Sequence, residues 1–199
     1  MADNILCNFR NKMYVGIDYS LSSPAICISP SEDVSFFTCQ FYFLTTKKKY
    51  EGTWNNIYGD LHKPWDSAEE RYHNISSWAM SCMSKQDAQF GLQAINHVFI
   101  EDYAMGAKGR VFHIGENAGA LKMRLYRNQM TYSTISPAEV KKYATDKGNA
   151  NKEAMYEAFL KQHKYILQLK DIMGQDTLDS PVTDIVDAFY ICKAGIDRL

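Results

Sequence analysis

The chain has 199 residues, 46% of them hydrophobic and 23% charged, so it is long enough to bury a core and reads as one domain spanning 1–199. No apolar run approaches the roughly 18 residues of a membrane span, and the start, MADNILCNFRNK, lacks the apolar stretch of a signal peptide. A cytoplasmic protein with no membrane partner is expected.

The net charge of −1 hides an uneven distribution: Ala104–Lys170 holds twelve Lys or Arg against five Asp or Glu, a balance of +7, and the remainder carries −8. A basic block of this kind is either solvated helix surface or the footprint of a phosphate-backbone binder. The five cysteines, Cys7, Cys27, Cys39, Cys82 and Cys192, are scattered, odd in number and without CxxC spacing. They read as reduced thiols filling a core, not as a disulfide framework or a zinc site.

In chain order, MYVGIDYS (13–20) begins as a buried strand and breaks at Asp18, and PAICIS (24–29) and VSFFTCQFYFLTT (34–46) follow across turn residues. The three read as a meander. Residues 47–66, KKKYEGTWNNIYGDLHKPWD, are too polar for core and too aromatic for a plain linker, so a surface loop or arm is expected there. SAEERYHNISSWAMSCMSK (67–85) places Tyr72, Ile75, Ala79 and Cys82 on one face behind acids in its first turn, which predicts an amphipathic helix.

INHVFIEDY (95–103) is a further buried strand ending in Glu101 and Asp102; neighbouring side chains on a strand point to opposite faces, so Asp102 is read as a bystander. A helix around 112–128 and a strand at 131–135 come next. His113 reads as a helix-start histidine. SPAEVKKYAT (136–145) carries Ser136 at N-cap, Pro137 at N1 and Glu139 at N3, the signature of a capping box. A helix over 151–163 ends near His163, expected at the surface, and the last helix spans 180–199.

That last helix raises a question of its own. Asp184 and Asp187 are three residues apart in VTDIVDAFYICKAGI, so they share one side of an otherwise apolar helix. Like charges so close are comfortable only with a cation or a shared proton. An exposed pair in a first turn, favoured by the macrodipole, is the plain alternative.

Three strands, helix, strand, helix, strand and helices is the order of a ribonuclease H-like α/β fold, with a mixed five-stranded sheet flanked by helices and its first three strands an antiparallel meander. In that layout the first strand lies beside the strand ending in Glu101, so Asp18, Glu101, Asp184 and Asp187 would converge at one sheet edge. Hard oxygen ligands of this kind suit Mg²⁺ or Mn²⁺, two ions per site, for phosphodiester hydrolysis.

The motifs also resemble those of the RuvC Holliday-junction resolvase family. The matching segments are YVGIDYSLSSPAICI, VFIEDYAMGAKGRVFHIGENAGAL, ISPAEVKKYATDKGNANKEAM and TDIVDAFYICKAG. They occur in the family's order over about 13–197, excepting 36–66, and would fit a virus- or phage-encoded member. The resemblance implies a structure-selective endonuclease that cuts four-way DNA junctions as a homodimer, each subunit nicking one strand.

It also implies that Asp18, Glu101, Asp184 and Asp187 are the metal-binding and catalytic acids, and that Lys141 and Lys152 lie near the scissile phosphate. Tyr103 and Met105 would fall in the loop that wedges into the junction. Lys108, Arg110, Lys122, Arg124 and Arg127 would be candidate backbone contacts. Tyr19 departs from the small residue or proline common there, and the 36–66 region is longer than a compact resolvase needs. The remaining alternatives are a broader branch or flap nuclease, a non-catalytic junction binder, and a sugar-kinase or actin-like ATPase. Against the ATPase stand the short chain and the lack of a glycine-rich phosphate loop.

Overall fold

The computed structural model describes residues 12–85, 94–102, 111–163 and 168–199. The strands among them are β1 (Met13–Asp18), β2 (Ala25–Ser29), β3 (Gln40–Thr45), β4 (Gly52–Trp54), β5 (Ile57–Leu61), β6 (Ile95–Glu101) and β7 (Tyr132–Ile135). The helices are α1 (Ala68–Ser84), α2 (Val111–Arg127), α3 (Pro137–Thr145), α4 (Lys152–Gln162), the single turn α5 (Leu169–Ile172) and α6 (Val182–Ile196). They form an α/β fold around one mixed sheet of order β4-β5-β3-β2-β1-β6-β7. The first three strands are antiparallel neighbours, and β1 runs parallel to β6 with Ile17 opposite Ile100.

The sheet therefore has seven strands instead of the expected five, and the difference lies in 47–66. This segment is no loop: after a short 3-10 turn at Lys48–Tyr50, β4 and β5 form a hairpin, and β5 adds to β3 in parallel. Its buried positions are Tyr50, Ile57 and Gly59, too few to print an alternating pattern on a polar stretch. Gly59 is required there, because a Cβ would fall on the Tyr50 carbonyl and the Phe43 ring. Stacking of Tyr42 on Tyr58, ring centres 4.9 Å apart, and a 3.0 Å hydrogen bond from Trp78 Nε1 to Asp60 Oδ2 fasten the addition to β3 and α1.

Strand three also starts later than expected, because residues 35–39 turn. Cys39 N donates to Ser35 O (3.0 Å), and Asn56 Nδ2 holds the Phe36 and Cys39 carbonyls. The capping box at Ser136 forms as expected, with Ser136 Oγ accepting from Glu139 N. Cys27, Cys39, Cys82 and Cys192 are free and buried, as core thiols should be.

Both faces of the sheet are covered, which is why its central strands read as continuous apolar runs. Val15, Ile17, Ile26 and Ile100 pack with Ile75, Cys82, Leu121 and Leu125 of α1 and α2. Tyr14, Cys27, Phe41 and Phe99 pack with Phe159 of α4 and with Ala188, Phe189 and Cys192 of α6. His163, expected at the surface, is buried in this second core. It lies against Phe159 and Phe189, and its Nε2 accepts from Phe36 N (3.4 Å). A polar ring can be placed there because both nitrogens are satisfied, Nδ1 by the Phe159 carbonyl at 2.8 Å.

Strand alternation decides which acids face α6. Tyr14 belongs to the α6-side core and Val15 and Ile17 to the other, so Gly16 and Asp18 face α6. On β6 Phe99 and Glu101 do the same, and Asp102 lies on the opposite parity. Gly16 lets α6 come close: a Cβ would fall on the backbone of Ala188 and Cys192, and one at Gly195 would fall on the Phe99 ring. These contacts run α6 antiparallel to β1 and β6, so its first turns lie over the strand ends that carry Asp18 and Glu101.

Candidate active site

Four carboxyl groups from three distant segments meet at that point. Asp18 ends β1, Glu101 ends β6, and Asp184 and Asp187 lie on the first turns of α6; all four are half-buried. Burial chiefly, and then the charges of Asp184, Glu101 and Asp187, push the Asp18 carboxyl well above the usual range. Glu101 is raised to about 7 by burial and by Asp187, and Asp187 to about 7 by burial and by Asp184. Asp184 is raised by burial, against which the hydroxyls of Ser180 and Ser23 and the Lys152 charge work.

The two lysines singled out in the sequence stand with these acids. Lys152 acts on Asp18, Asp184 and Asp187, and Lys141 on Glu101 and Asp187. Lys152 Nζ also donates to Thr183 Oγ1 (3.4 Å). Lys152 is the first residue of α4, with Asn151 as its cap. A cation there opposes the helix macrodipole at a cost of about 0.3–1 kcal/mol, so helix stability does not explain its choice.

Sequence reasoning missed the hydroxyls around Asp184. Ser23, from the β1–β2 turn, and Ser180, just before α6, both donate to Asp184 Oδ2, and Thr183 Oγ1 lies 3.3 Å from Oδ1. The signal was present: SLSSP and DSPVTD are hydroxyl-rich beside the first and third acidic segments.

The DNA-contact candidates are placed unevenly. Tyr103, Met105, Lys108 and Arg110 lie outside the described residues. Arg124 is engaged inward: its Nε donates to Ser76 Oγ (2.9 Å) and its Nη2 to Ser77 Oγ (2.9 Å) and His73 Nδ1 (3.1 Å), clamping α2 on α1. Lys122 is half-buried on α2, and Arg127 is exposed at its end. His113 lies in the first turn of α2, 2.6 Å from the Tyr72 hydroxyl. Tyr19 is buried on the α1–α2 side. An open groove of about 660 Å³ between α3, α4 and α6 adds Lys147, Lys161 and Lys193 beside Tyr143.

The donor set suits a hard divalent cation. All four acidic ligands are oxygen; fully ionised, with Lys141 and Lys152 beside them, they keep a net charge of −2. Among the described residues no three His, Cys, Asp or Glu side chains are already drawn into a metal cage. Asp184 is turned onto Ser23 and Ser180. Also among the described residues, no helix is long and apolar enough to cross a membrane.

No family model matches the chain, and no curated protein does. Among solved structures it is similar to Thermus thermophilus RuvC, with 16% identity, 92% of each chain covered and a TM-score of 0.54. It is also similar to T. thermophilus RuvC in complex with Holliday junction substrate, with 14% identity, 92% of each chain covered and a TM-score of 0.57. The mixed sheet, its central β1–β6 pair and the closing helix over their ends are thus the ribonuclease H-like fold of RuvC.

Proposed function

We propose that the protein is a divalent-metal-dependent endonuclease acting on branched DNA, with four-way junctions as its substrate. The observation that carries this reading is the meeting of Asp18, Glu101, Asp184 and Asp187 with Lys141 and Lys152 at the ends of β1, β6 and α6. The likeness in fold to a RuvC bound to Holliday junction substrate supports it, as does the +7 balance of Ala104–Lys170.

The four acids would hold Mg²⁺ or Mn²⁺, two ions per site, which supply an activated water and stabilise the departing oxygen. Lys152 and Lys141 offset the charge of the phosphate brought against the acids and hold its strand. Hydrolysis leaves a 5′-phosphate and a 3′-hydroxyl without a covalent enzyme intermediate. Lys122 and the lysines of the α3–α4–α6 groove are candidate backbone contacts that position without reading sequence.

A homodimer would match the two-fold symmetry of a four-way junction. The outer face of α2 supports it. Phe112, Met123 and Tyr126 are 81%, 53% and 75% exposed, too much apolar surface to leave in water. They align with Gly115 and Gly119, at each of which a Cβ would meet open space. In an antiparallel pairing about Gly119, Phe112 meets the partner's Tyr126, and Met123 fills the space at the partner's Gly115. Met123→Glu is expected to turn a dimer into a monomer in sedimentation at micromolar concentration. An unchanged dimer would move the interface elsewhere.

Cleavage of an immobile four-way junction beside splayed, flap and linear duplex DNA, in Mg²⁺ and in EDTA, tests the reading. Mg²⁺-dependent cutting confined to the junction is expected. Equal cutting of flaps would make the protein a general branch nuclease, and binding without cutting in either metal would make it a scaffold.

A further inference from the structure

We propose that Ser23 and Ser180 are positioning residues that fix the Asp184 carboxylate for cation binding, and that the β4–β5 addition braces the turn carrying Ser23. The inference rests on the four-acid site proposed above. Its ground is a convergence of two hydroxyls, 157 residues apart in sequence, on one oxygen of one acid. An aspartate in the first turn of a helix ordinarily samples several rotamers. With Oδ2 held from the β1–β2 turn on one side and from the residue before α6 on the other, Asp184 keeps one. Its Oδ1, approached at 3.3 Å by Thr183, is the oxygen left for a cation.

The main chain that carries each hydroxyl is itself held. Gln175, buried, donates from Nε2 to the Ser180 carbonyl (3.1 Å), and Ser23 N donates to Ser20 Oγ (3.0 Å). The main chain just before Ser23 is pinned twice from outside. Arg71 Nη2 donates to the Leu21 carbonyl (2.8 Å), and His62 Nε2 donates to the Ser22 carbonyl (3.0 Å).

Those two side chains are joined by Trp65. The Arg71 guanidinium lies 4.5 Å from its ring centre, and the His62 ring meets it edge-on at 5.7 Å. His62 and Trp65 follow β5 directly, so the two added strands end in a brace on the turn beside Asp18. This gives the 47–66 segment a role in the site that its polar sequence does not announce. Partners that orient a ligating carboxylate commonly govern ion affinity as strongly as they govern rate.

Calorimetric titration of Mn²⁺ into the DNA-free protein tests the proposal, with thermal unfolding in EDTA as the check on folding. Ser23→Ala and Ser180→Ala are each expected to weaken Mn²⁺ binding by about 10-fold or more. Ser23→Thr and Ser180→Thr, which keep the hydroxyl, should bind as the parent does. The pair His62→Ala with Arg71→Gln should lose part of the same affinity. Alanine variants that bind Mn²⁺ as tightly as the parent, or threonine variants as weak as alanine, would overturn the hydroxyl clamp. Unchanged affinity in the His62–Arg71 pair would overturn the brace. A parent protein that takes up no Mn²⁺ would instead overturn the four-acid site on which both rest.

Discussion

Asp187→Asn is expected to lower junction cleavage by about 10³-fold or more, the loss of roughly 4 kcal/mol of transition-state stabilisation that a displaced cation entails. Binding should behave differently. The substitution removes a negative charge from a site that meets a phosphate, so affinity for the junction should hold or rise. Single-turnover cleavage and gel-shift titration on one preparation separate the two. Falling affinity together with falling rate would point to a damaged fold. Undiminished cleavage would remove Asp187 from the chemistry. Asp18→Asn should behave alike, since both groups are buried beside Asp184 and both feel the Lys152 charge.

The second large effect is on stability. In the folded, metal-free protein Glu101 and Asp187 titrate near 7, and Asp18 and Asp184 are also raised, chiefly by burial. A carboxyl raised by folding keeps its proton in the native state where the unfolded chain has released it. The native state therefore binds more protons between the ordinary carboxylate range and about pH 7, and stability falls as pH rises through that window. Metal-free protein should melt progressively lower from pH 5 to pH 8, and Mg²⁺ or Mn²⁺ should reverse the loss by replacing the protons.

His62, His97 and His163 work against this trend, because burial lowers each and favours folding as pH rises. A comparison with Asp187→Asn isolates the acids. Each tenfold in proton affinity is worth about 1.4 kcal/mol, and water reaching a half-buried group reduces the total. A gain of about 2 kcal/mol, or roughly 4–8 °C in melting temperature, is then expected for Asp187→Asn at pH 8 in EDTA. Added Mg²⁺ should shrink or invert that gain. A parent whose metal-free melting point is flat or rising relative to the variant would contradict the mutual strain among the acids.

The sequence carried the site more clearly than the architecture around it. Asp18 and Glu101 were visible because each interrupts an apolar run at a strand end, and the Asp184–Asp187 pair because its spacing puts two charges on a face that should be apolar. Strand alternation then turns Asp18 and Glu101 toward α6 and Asp102 away. The β4–β5 hairpin was not visible, since its register is set by partners on β3 and by Trp78, and few of its residues are buried. His163 failed for a related reason: a histidine at a helix end looks exposed until Phe36 and Phe189 are brought over it by tertiary packing. The inward engagement of Arg124 was equally hidden, because Ser76 and Ser77 belong to another helix.

Paired cutting of a junction by a two-fold assembly is the central claim, and a supercoiled plasmid bearing an extruded cruciform tests it most directly. Two nicks made within the lifetime of one complex linearise the plasmid, whereas independent nicks first relax it and destroy the cruciform. With Mg²⁺ the protein is expected to convert the plasmid to linear form, with two symmetric cuts across the junction, and Asp187→Asn is expected to leave it supercoiled. Nicked circles alone would contradict paired action, and a plasmid left intact by the parent protein in both Mg²⁺ and Mn²⁺ would contradict the nuclease itself.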